Sequence, residues 1–577
     1  MKKYILAFLC MLLGTPTICE AQKPTIPHEV KENIKKRVEN GINAGIVVGV
    51  INSEGTTFYS YGVKSMKSKE AVDENSVFQI ASLSKTFTGI LLADLVVKNE
   101  LNLDDPLQTL LPKGINAPTR NGHSIKLIHL ANHTSSLPNL PRNFNMTNLI
   151  NPYANYSEKL MYEFLNNHEL TRDIGSEYEY SNYGMGLLGH LLATRYEMNY
   201  EEYLSDVILK PLGLENTSTV FSPQMKMNLA KGHKIGVEVE NWDYLSSFAG
   251  AAGIRSTPTE MLNYLGFNMG LKGSDLYSAM ELSHENTRRE ESNPLVGLGW
   301  RIRTLDDKEI LWHYGESGGY CAFLGFIKGG DKGVVVLTNS YAGVTDIGMH
   351  LLDATSPLVH PKPPIGSKLR KIIGSQGFEE AQKHYWKLRE SQSDNFNFGE
   401  KQLNMLGDLY LWNKEIENAL SVFELNIEAF PNSFYAYDRY GEALLQQKDT
   451  AKAIAAFQKS IELYPENFSG IKMLKSLGVD TEGLMVPVVL EDEILQSYVG
   501  DYELFPGLVL TVSKHGNQLK TKAPGKAEYS IYPKSNNVFY YKALAAQITF
   551  NRDDKGEVKS VTLVQEGEEF VGKKLKD

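Results

Sequence analysis

The stretch Thr86–Val97 is apolar on almost every side. A helix without a polar face has to be enclosed by protein all round, so this one belongs at the centre of a large domain. The sequence around it mixes two periods. Ala44–Ile51 reads as a buried strand, and Thr56–Tyr61 as its hairpin partner across Asn52-Ser53-Glu54-Gly55. Strand-like runs return only far downstream, at Glu309–Tyr314, Ala322–Ile327 and Gly333–Leu337. A sheet built from both ends of a segment, with helices between, predicts an α+β domain over residues 22–355.

The remainder of the 577 residues reads as separate units. Pro357, Pro361, Pro363 and Pro364 crowd residues 356–366, which predicts a linker that is neither helix nor central strand. Residues 367–479 carry a 34-residue repeat: Gly407 matches Gly441, Ala419 matches Ala453, Phe423 matches Phe457, and Pro431 matches Pro465. That is the tetratricopeptide period, two helices per unit with small residues where they cross. The amphipathic stretch Phe378–Arg389 is expected to stack ahead of the repeats. Two units offer little concave surface, so the segment reads as a spacer or intramolecular docking unit, with a peptide or protein partner as the other option. In residues 491–577, Leu508–Val512 pairs with Gln518–Lys522, and Gln547–Phe550 with Glu557–Val564, around turn-forming residues. This predicts a small antiparallel β domain with Tyr502, Phe505, Phe539 and Tyr540 in its core.

Residues 1–21 read as an address. Lys2 and Lys3 precede a short apolar run, and Cys19-Glu20-Ala21 suits cleavage before Gln22. The run is too short to span a bilayer. Neither Cys10 nor Cys19 is preceded by the small residue a lipid anchor needs, so no membrane anchor is expected. Without the leader only Cys321 remains of three cysteines, which suits a periplasmic or secreted protein held together by its cores. The net charge of −10 and the absence of a basic stripe argue against nucleic acid. No HExxH, paired CxxC or EF-hand loop is present, and neither a metal nor another cofactor is expected.

The chemistry centres on Ser82-Leu83-Ser84-Lys85, at the start of the buried helix. Residues three apart share a helix face, so Ser82 and Lys85 can enter one cleft. Free N–H groups at a helix start favour developing negative charge. A buried amine can take the serine proton if burial depresses its pKa. Alone, such a pair reads as an N-cap serine and a surface lysine. Here it is followed by Tyr180-Ser181-Asn182, just before the apolar run Tyr183–Leu192, and by His313-Tyr314-Gly315 at a strand end.

That order of motifs resembles the serine β-lactamase and penicillin-binding protein superfamily, in its branch of class C β-lactamases, D-alanyl-D-alanine carboxypeptidases and family VIII carboxylesterases. Further resemblance lies in Phe78-Gln79-Ile80-Ala81, Leu101-Asn102-Leu103-Asp104-Asp105-Pro106, His133-Thr134-Ser135-Ser136-Leu137-Pro138, Pro211-Leu212-Gly213-Leu214 and Gly297-Leu298-Gly299-Trp300. The resemblance implies an antiparallel sheet with flanking helices and a helical subdomain. It implies Ser82 as acylated nucleophile, Lys85 as its proton partner, and Tyr180 as general base or acid, with a phenolate stabilised by the lysine. Asn182 would contact the substrate or the lysine. His313 and Gly315 would line the opposite wall. The N–H groups of Ser82 and Glu316 would form the oxyanion hole. The substrate would be a small or peptide-like ester or amide.

Tyr314 departs from the pattern, which has a small hydroxyl residue there to hold a carboxylate. A histidine at 313 is also less positive than a lysine. Both count against efficient β-lactam turnover and favour an esterase or peptidase. The alternatives are a β-lactamase, a penicillin-binding carboxypeptidase, or a non-catalytic sensor of cell-wall fragments. Gly315-Glu316-Ser317-Gly318-Gly319 offers a rival serine, but aromatic and β-branched sequence follows where a nucleophile elbow needs a helix. His133 reads as a structural hydrogen-bonder, Cys321 as a small strand residue, and Ser317 as a polar residue at the cleft rim.

Overall fold

In a computed structural model of the chain, the described residues are 23–144, 150–288, 294–305, 308–392, 394–465, 467–481, 488, 490–505, 508–524, 528–541, 546–565 and 568–575. The expected leader at 1–21 lies outside them.

The first domain opens with helix α1 (His28–Glu39) and the hairpin of β1 (Gly45–Asn52) and β2 (Gly55–Gly62). A short 3₁₀ turn, Ala81–Leu83, leads into α2 (Ser84–Val97). Helices α3 (Asn182–Thr194) and α4 (Ser246–Ala252) follow across the helical part. The chain then returns to the sheet as β3 (Leu295–Val296), β4 (Arg301–Leu305), β5 (Lys308–Ser317), β6 (Tyr320–Ile327) and β7 (Gly333–Thr338), before α5 (Thr345–Leu352). Among the described residues these strands form one seven-stranded antiparallel sheet, β2-β1-β7-β6-β5-β4-β3. The expected strands are therefore present, although β5 continues past His313-Tyr314-Gly315 to Ser317 rather than ending there.

Both faces of the sheet are covered, which is why its central strands are continuously apolar. Along β1, Ile46, Val48 and Val50 pack with Val30 and Ile34 of α1 and Ile347 of α5, whereas Val47 and Ile51 face the larger core. That larger core holds α2, whose Phe87, Ile90, Leu91 and Leu92 have no exposed surface. Each such side chain contributes about 1.5–3 kcal/mol relative to exposure. The all-round apolar helix is enclosed as its sequence requires.

The proline-rich segment is irregular, as expected, but helix α6 (Ile365–Gln376) claims its last two residues. It is also tied down: Asn33 Nδ2 and Arg37 Nη2 donate to the Val359 carbonyl at 2.8 and 2.9 Å. Beyond it, α7 (Phe378–Ser391) stacks ahead of two helix pairs, α8 (Glu400–Trp412) with α9 (Ile416–Ala429), and α10 (Phe434–Gln446) with α11 (Thr450–Leu463). The repeat has a direct packing cause. A Cβ on Gly407 would lie 2.4 Å from the Phe423 ring, and one on Gly441 would lie 2.9 Å from the Phe457 ring. Each glycine lets the phenylalanine of the partner helix press onto its backbone.

The C-terminal part is a closed eight-stranded antiparallel barrel: β8 (Gly500–Phe505), β9 (Leu508–His515), β10 (Gln518–Lys522), β11 (Glu528–Pro533), β12 (Val538–Tyr541), β13 (Ala546–Arg552), β14 (Val558–Gln565) and β15 (Glu568–Lys574). Tyr502 and Phe539 are in its core, as expected. Phe505 is not; it is 47% exposed. Tyr540 points outward instead, edge-on to Tyr464 of the helical unit at 6.4 Å. Strand alternation puts Phe539 inside and its neighbour outside.

The three units dock on one another. Lys234 of the first domain sits over Trp412 of α8 at 4.6 Å, and Asn432 donates to Glu569 of the barrel at 3.0 Å. A cavity of about 600 Å³ remains between them, lined among others by Trp242, Asp408, Tyr435 and Gln547.

Candidate active site

The Ser82–Lys85 pair is held by local structure on both sides. Phe78 and Gln79 pair with Ser256 and Arg255, and the Ile80 N–H donates to the Ile254 carbonyl at 3.1 Å. The chain then turns sharply: Ala81 adopts φ +49°, a left-handed conformation costly for a residue with a Cβ. Ser82 lies in this 3₁₀ turn, two residues before the α-helix that was expected to carry it. The i, i+3 relation survives, and Lys85 Nζ lies 3.0 Å from Ser82 Oγ.

Lys85 has no exposed surface. Its other neighbours are two oxygens that can only accept: Asn182 Oδ1 at 2.7 Å and the Ala251 carbonyl, at the end of α4, at 2.8 Å. Burial, and then the positive charge of Arg301, push its pKa well below the ordinary lysine value. A neutral amine has two N–H bonds and one lone pair. With the N–H bonds directed to Asn182 and Ala251, the lone pair is left for the hydroxyl proton of Ser82.

Tyr180 completes the group, with its hydroxyl hydrogen-bonded to Ser82. Its ring lies 4.7 Å from Lys85 Nζ and 4.6 Å from the His133 ring. Burial raises the phenol far above its ordinary range, with the Ser82 hydrogen bond opposing. The group is thus held as a phenol, not as the phenolate that the resemblance implied. His133 is a hydrogen-bonder, as expected: its Nδ1 accepts from the Ser181 N–H at 3.1 Å and fixes the Tyr180-Ser181 backbone.

Asn182 opens α3. Its N-cap is Ser181, whose Oγ accepts from the Gly184 N–H at 2.8 Å and donates to the Pro138 carbonyl at 2.7 Å. Asn139 Oδ1 accepts from Asn182 Nδ2 at 2.8 Å, which turns the Asn182 oxygen toward Lys85. Ser181→Ala should lower stability by about 1 kcal/mol, the usual effect of losing a helix cap, and thermal unfolding would show it.

The opposite wall is β5. A Cβ on Gly315 would lie 2.3 Å from the Ile80 carbonyl and 3.1 Å from the Ser82 nitrogen, so only glycine lets the strand lie against the turn. His313 is buried; burial, then Arg301 and Lys85, push its pKa well below the usual imidazole value. Its Nδ1 contacts the Tyr314 carbonyl at 2.6 Å, which places the proton on Nδ1 and the lone pair on Nε2. Glu316 is exposed next to Gly315, while the Tyr314 ring lies 5.2 Å from the Arg301 guanidinium and 6.0 Å from the His313 ring.

The rival serine is not at the rim. Ser317 is fully buried and donates to Gln79 Oε1 at 2.7 Å. Cys321 is a buried strand residue whose thiol is pushed up by burial. The sequence reading missed Asn139, the Ala251 carbonyl and Arg301. Asn139 stands two residues beyond Leu137, so proximity to a quoted motif could have flagged it. Arg301 likewise directly follows the quoted Trp300, and it reaches the site because β4 pairs Arg301 with Trp312 of β5.

The Beta-lactamase family model matches residues 30–354. The chain belongs to the beta-lactamase family. A Tetratricopeptide repeat model matches residues 434–467, over α10 and α11 of the helical unit, and a Domain of unknown function (DUF3471) matches residues 487–574, over the barrel. Relatives of this beta-lactamase-family chain include a "Beta-lactamase" of Yersinia enterocolitica, 25% identical over 304 residues, covering 52% of this chain and 74% of that one. Another is the "D-alanyl-D-alanine-carboxypeptidase/endopeptidase AmpH" of Escherichia coli (strain K12), 24% identical over 389 residues, covering 63% of this chain and all of that one. The structure of a beta-lactamase/D-alanine carboxypeptidase from Pseudomonas syringae superposes with a TM-score of 0.50 at 18% identity, over 57% of this chain and 98% of that chain. It shares the fold of the beta-lactamase domain.

Proposed function

We propose that the protein is a serine hydrolase that cleaves an ester or a peptide-like amide through an acyl-enzyme on Ser82. The observation that carries this reading is the fully enclosed Lys85, whose Nζ lies 3.0 Å from Ser82 Oγ and whose other two partners, Asn182 Oδ1 and the Ala251 carbonyl, can only accept. Lys85 takes the hydroxyl proton as Oγ attacks the substrate carbonyl. The oxyanion is received by the Ser82 N–H and the Glu316 N–H; a donor of this kind lowers the barrier by about 3 kcal/mol. Tyr180, held as a phenol, gives its proton to the leaving atom and is reprotonated by the Lys85 ammonium. Water then hydrolyses the Ser82 ester by the reverse relay. Asn182 and His313 border the cleft on either side. The names of the relatives, a beta-lactamase and a D-alanyl-D-alanine-carboxypeptidase/endopeptidase, put peptide-like amides first among substrates to try. The leader-like residues 1–21 support a periplasmic or secreted site of action.

The test is covalent labelling of the full chain with a fluorophosphonate, followed by peptide mapping. The adduct is expected on Ser82; an adduct on Ser317 or on no serine refutes the assignment. The pH profile of labelling gives a second check. Protonation removes the lone pair, so the rate should fall as pH drops through the depressed lysine pKa. No alkaline loss is expected below the ordinary phenol range, because Tyr180 is shifted upward.

A further inference from the structure

We propose that the cavity left between the three units is a second binding site, separate from the Ser82 cleft, for a small molecule that joins a flat ring to a carboxylate.

The cavity holds about 600 Å³, within the usual range of about 300–1,000 Å³ for a small organic ligand. Each unit supplies a wall: Lys234 and Trp242 from the first domain, Trp412, Tyr435 and Arg439 from the helical unit, and Gln547 from the barrel. Ser82, Lys85 and Tyr180 do not line it. The first domain and the barrel cover this face of the helices, so the space suits a small molecule rather than an extended chain.

Among the described side chains that line the cavity, the buried polar atoms without a partner are both donors: Trp412 Nε1 and Arg439 Nη2. Lys234 is a third. Its Nζ lies 4.6, 5.2 and 5.5 Å from the Trp412, Tyr341 and Trp242 rings, and among the described residues no carboxylate pairs with it. The rings stabilise the charge but do not accept its N–H bonds as an oxygen would. Burial pushes its pKa down to about 8, with Asp408 opposing. An enclosed charge without a counterion is costly unless a ligand supplies one.

The acids of the cavity are already engaged. Arg439 donates to Asp408 at 2.6 Å and also to Glu442. Asn467 donates to Asp438 at 2.9 Å, and Asn404 to Glu400 at 2.6 Å. Burial pushes the pKa of Asp438 up and that of Glu442 to about 7, so both repel an incoming anion less than exposed carboxylates would. Lys401 also lines the cavity but is exposed. The enclosed donors thus carry one uncompensated positive charge, on Lys234, which a carboxylate matches and a phosphate dianion exceeds. A carboxylate meets these donors with charge-assisted hydrogen bonds, and a flat ring stacks on the aromatic walls. Ester or amide hydrolysis releases a carboxylate, so the reaction proposed above is one source of such a ligand; binding itself does not rest on that reaction.

The full-length protein, as wild type and as Ser82→Ala, is titrated by calorimetry with N-benzoylglycine and with its neutral amide. The acid should bind with a Kd below about 1 mM and about tenfold tighter than the amide, equally in both proteins. Lys234→Gln should bring the ratio of acid to amide near one, and Trp412→Phe should weaken acid binding about threefold. A second readout needs no variant: N-benzoylglycine should slow reductive methylation of Lys234, mapped by mass, and the amide should not. No binding of the acid, equal binding of acid and amide, a preference that survives Lys234→Gln, or an unprotected Lys234 overturns the site. Acid binding that disappears in Ser82→Ala belongs to the catalytic cleft and overturns it as well. Failure of a fluorophosphonate to label Ser82 would remove the proposed function and leave this site standing.

Discussion

Ser82→Ala should leave no acyl-enzyme detectable by intact mass, and Lys85→Ala should slow acylation by about 10²–10⁴-fold, the usual share of a positioned base. The two losses have different causes. Without Ser82 Oγ there is no atom to carry the acyl group. Without Lys85 the hydroxyl is present but has no lone pair at 3.0 Å to receive its proton. Lys85→Ala also empties a fully enclosed volume and leaves Asn182 Oδ1 and the Ala251 carbonyl without a donor. An unpaired buried acceptor costs about 1–3 kcal/mol, so the variant should be less stable as well as slower. Lys85→Arg is a poor rescue: guanidinium stays protonated and cannot act as the base. The measurement is the burst of phenol release from an activated ester, with thermal unfolding recorded on the same samples. Labelling of Lys85→Ala at the wild-type rate would remove lysine from the mechanism.

Gly299→Ala should destabilise the first domain by about 2–4 kcal/mol and suppress Ser82 labelling with it. Two penalties combine. Gly299 has φ +75°, a conformation that a residue with a Cβ adopts only at a cost. Its Cβ would also lie 2.2 Å from the Lys85 carbonyl, a backbone atom in the core that cannot swing aside. Relief requires moving α2 or the turn before β4, and either displaces Lys85. Gly329→Ala is the control: it shares the positive φ, at +66°, but meets nothing within 4 Å. It should show only the backbone cost of about 1 kcal/mol. Equal unfolding temperatures for the two variants would show that the overlap is absorbed.

The legible part of this protein is what chain-local rules govern. An all-round apolar run must be buried, alternating runs flanked by Gly and Asn must form hairpins, and glycine–phenylalanine pairs 34 residues apart must be equivalent packing positions. Ser82 and Lys85 were readable from their i, i+3 spacing at a helix start, and Tyr180, Asn182 and His313 from the order of motifs that resembles the beta-lactamase family. Phe505 and Tyr540 were misread because aromatic content says that a strand is buried on one face, but not which residues take that face.

Motif proximity could have flagged Asn139 and Arg301, but no local rule gives the roles of Arg301, Asn139 and the Ala251 carbonyl. They meet the catalytic group through strand register, amide orientation and the end of a distant helix, none of which spacing encodes. The protonation states belong to the same class: a lysine and a phenol have ordinary affinities for protons until the fold removes their water. Sequence alone determined which residues could do chemistry and which segments could form cores. Only the tertiary structure decided that the lysine holds its proton less tightly and the phenol more tightly than usual, because desolvation exists only once the chain has closed on itself.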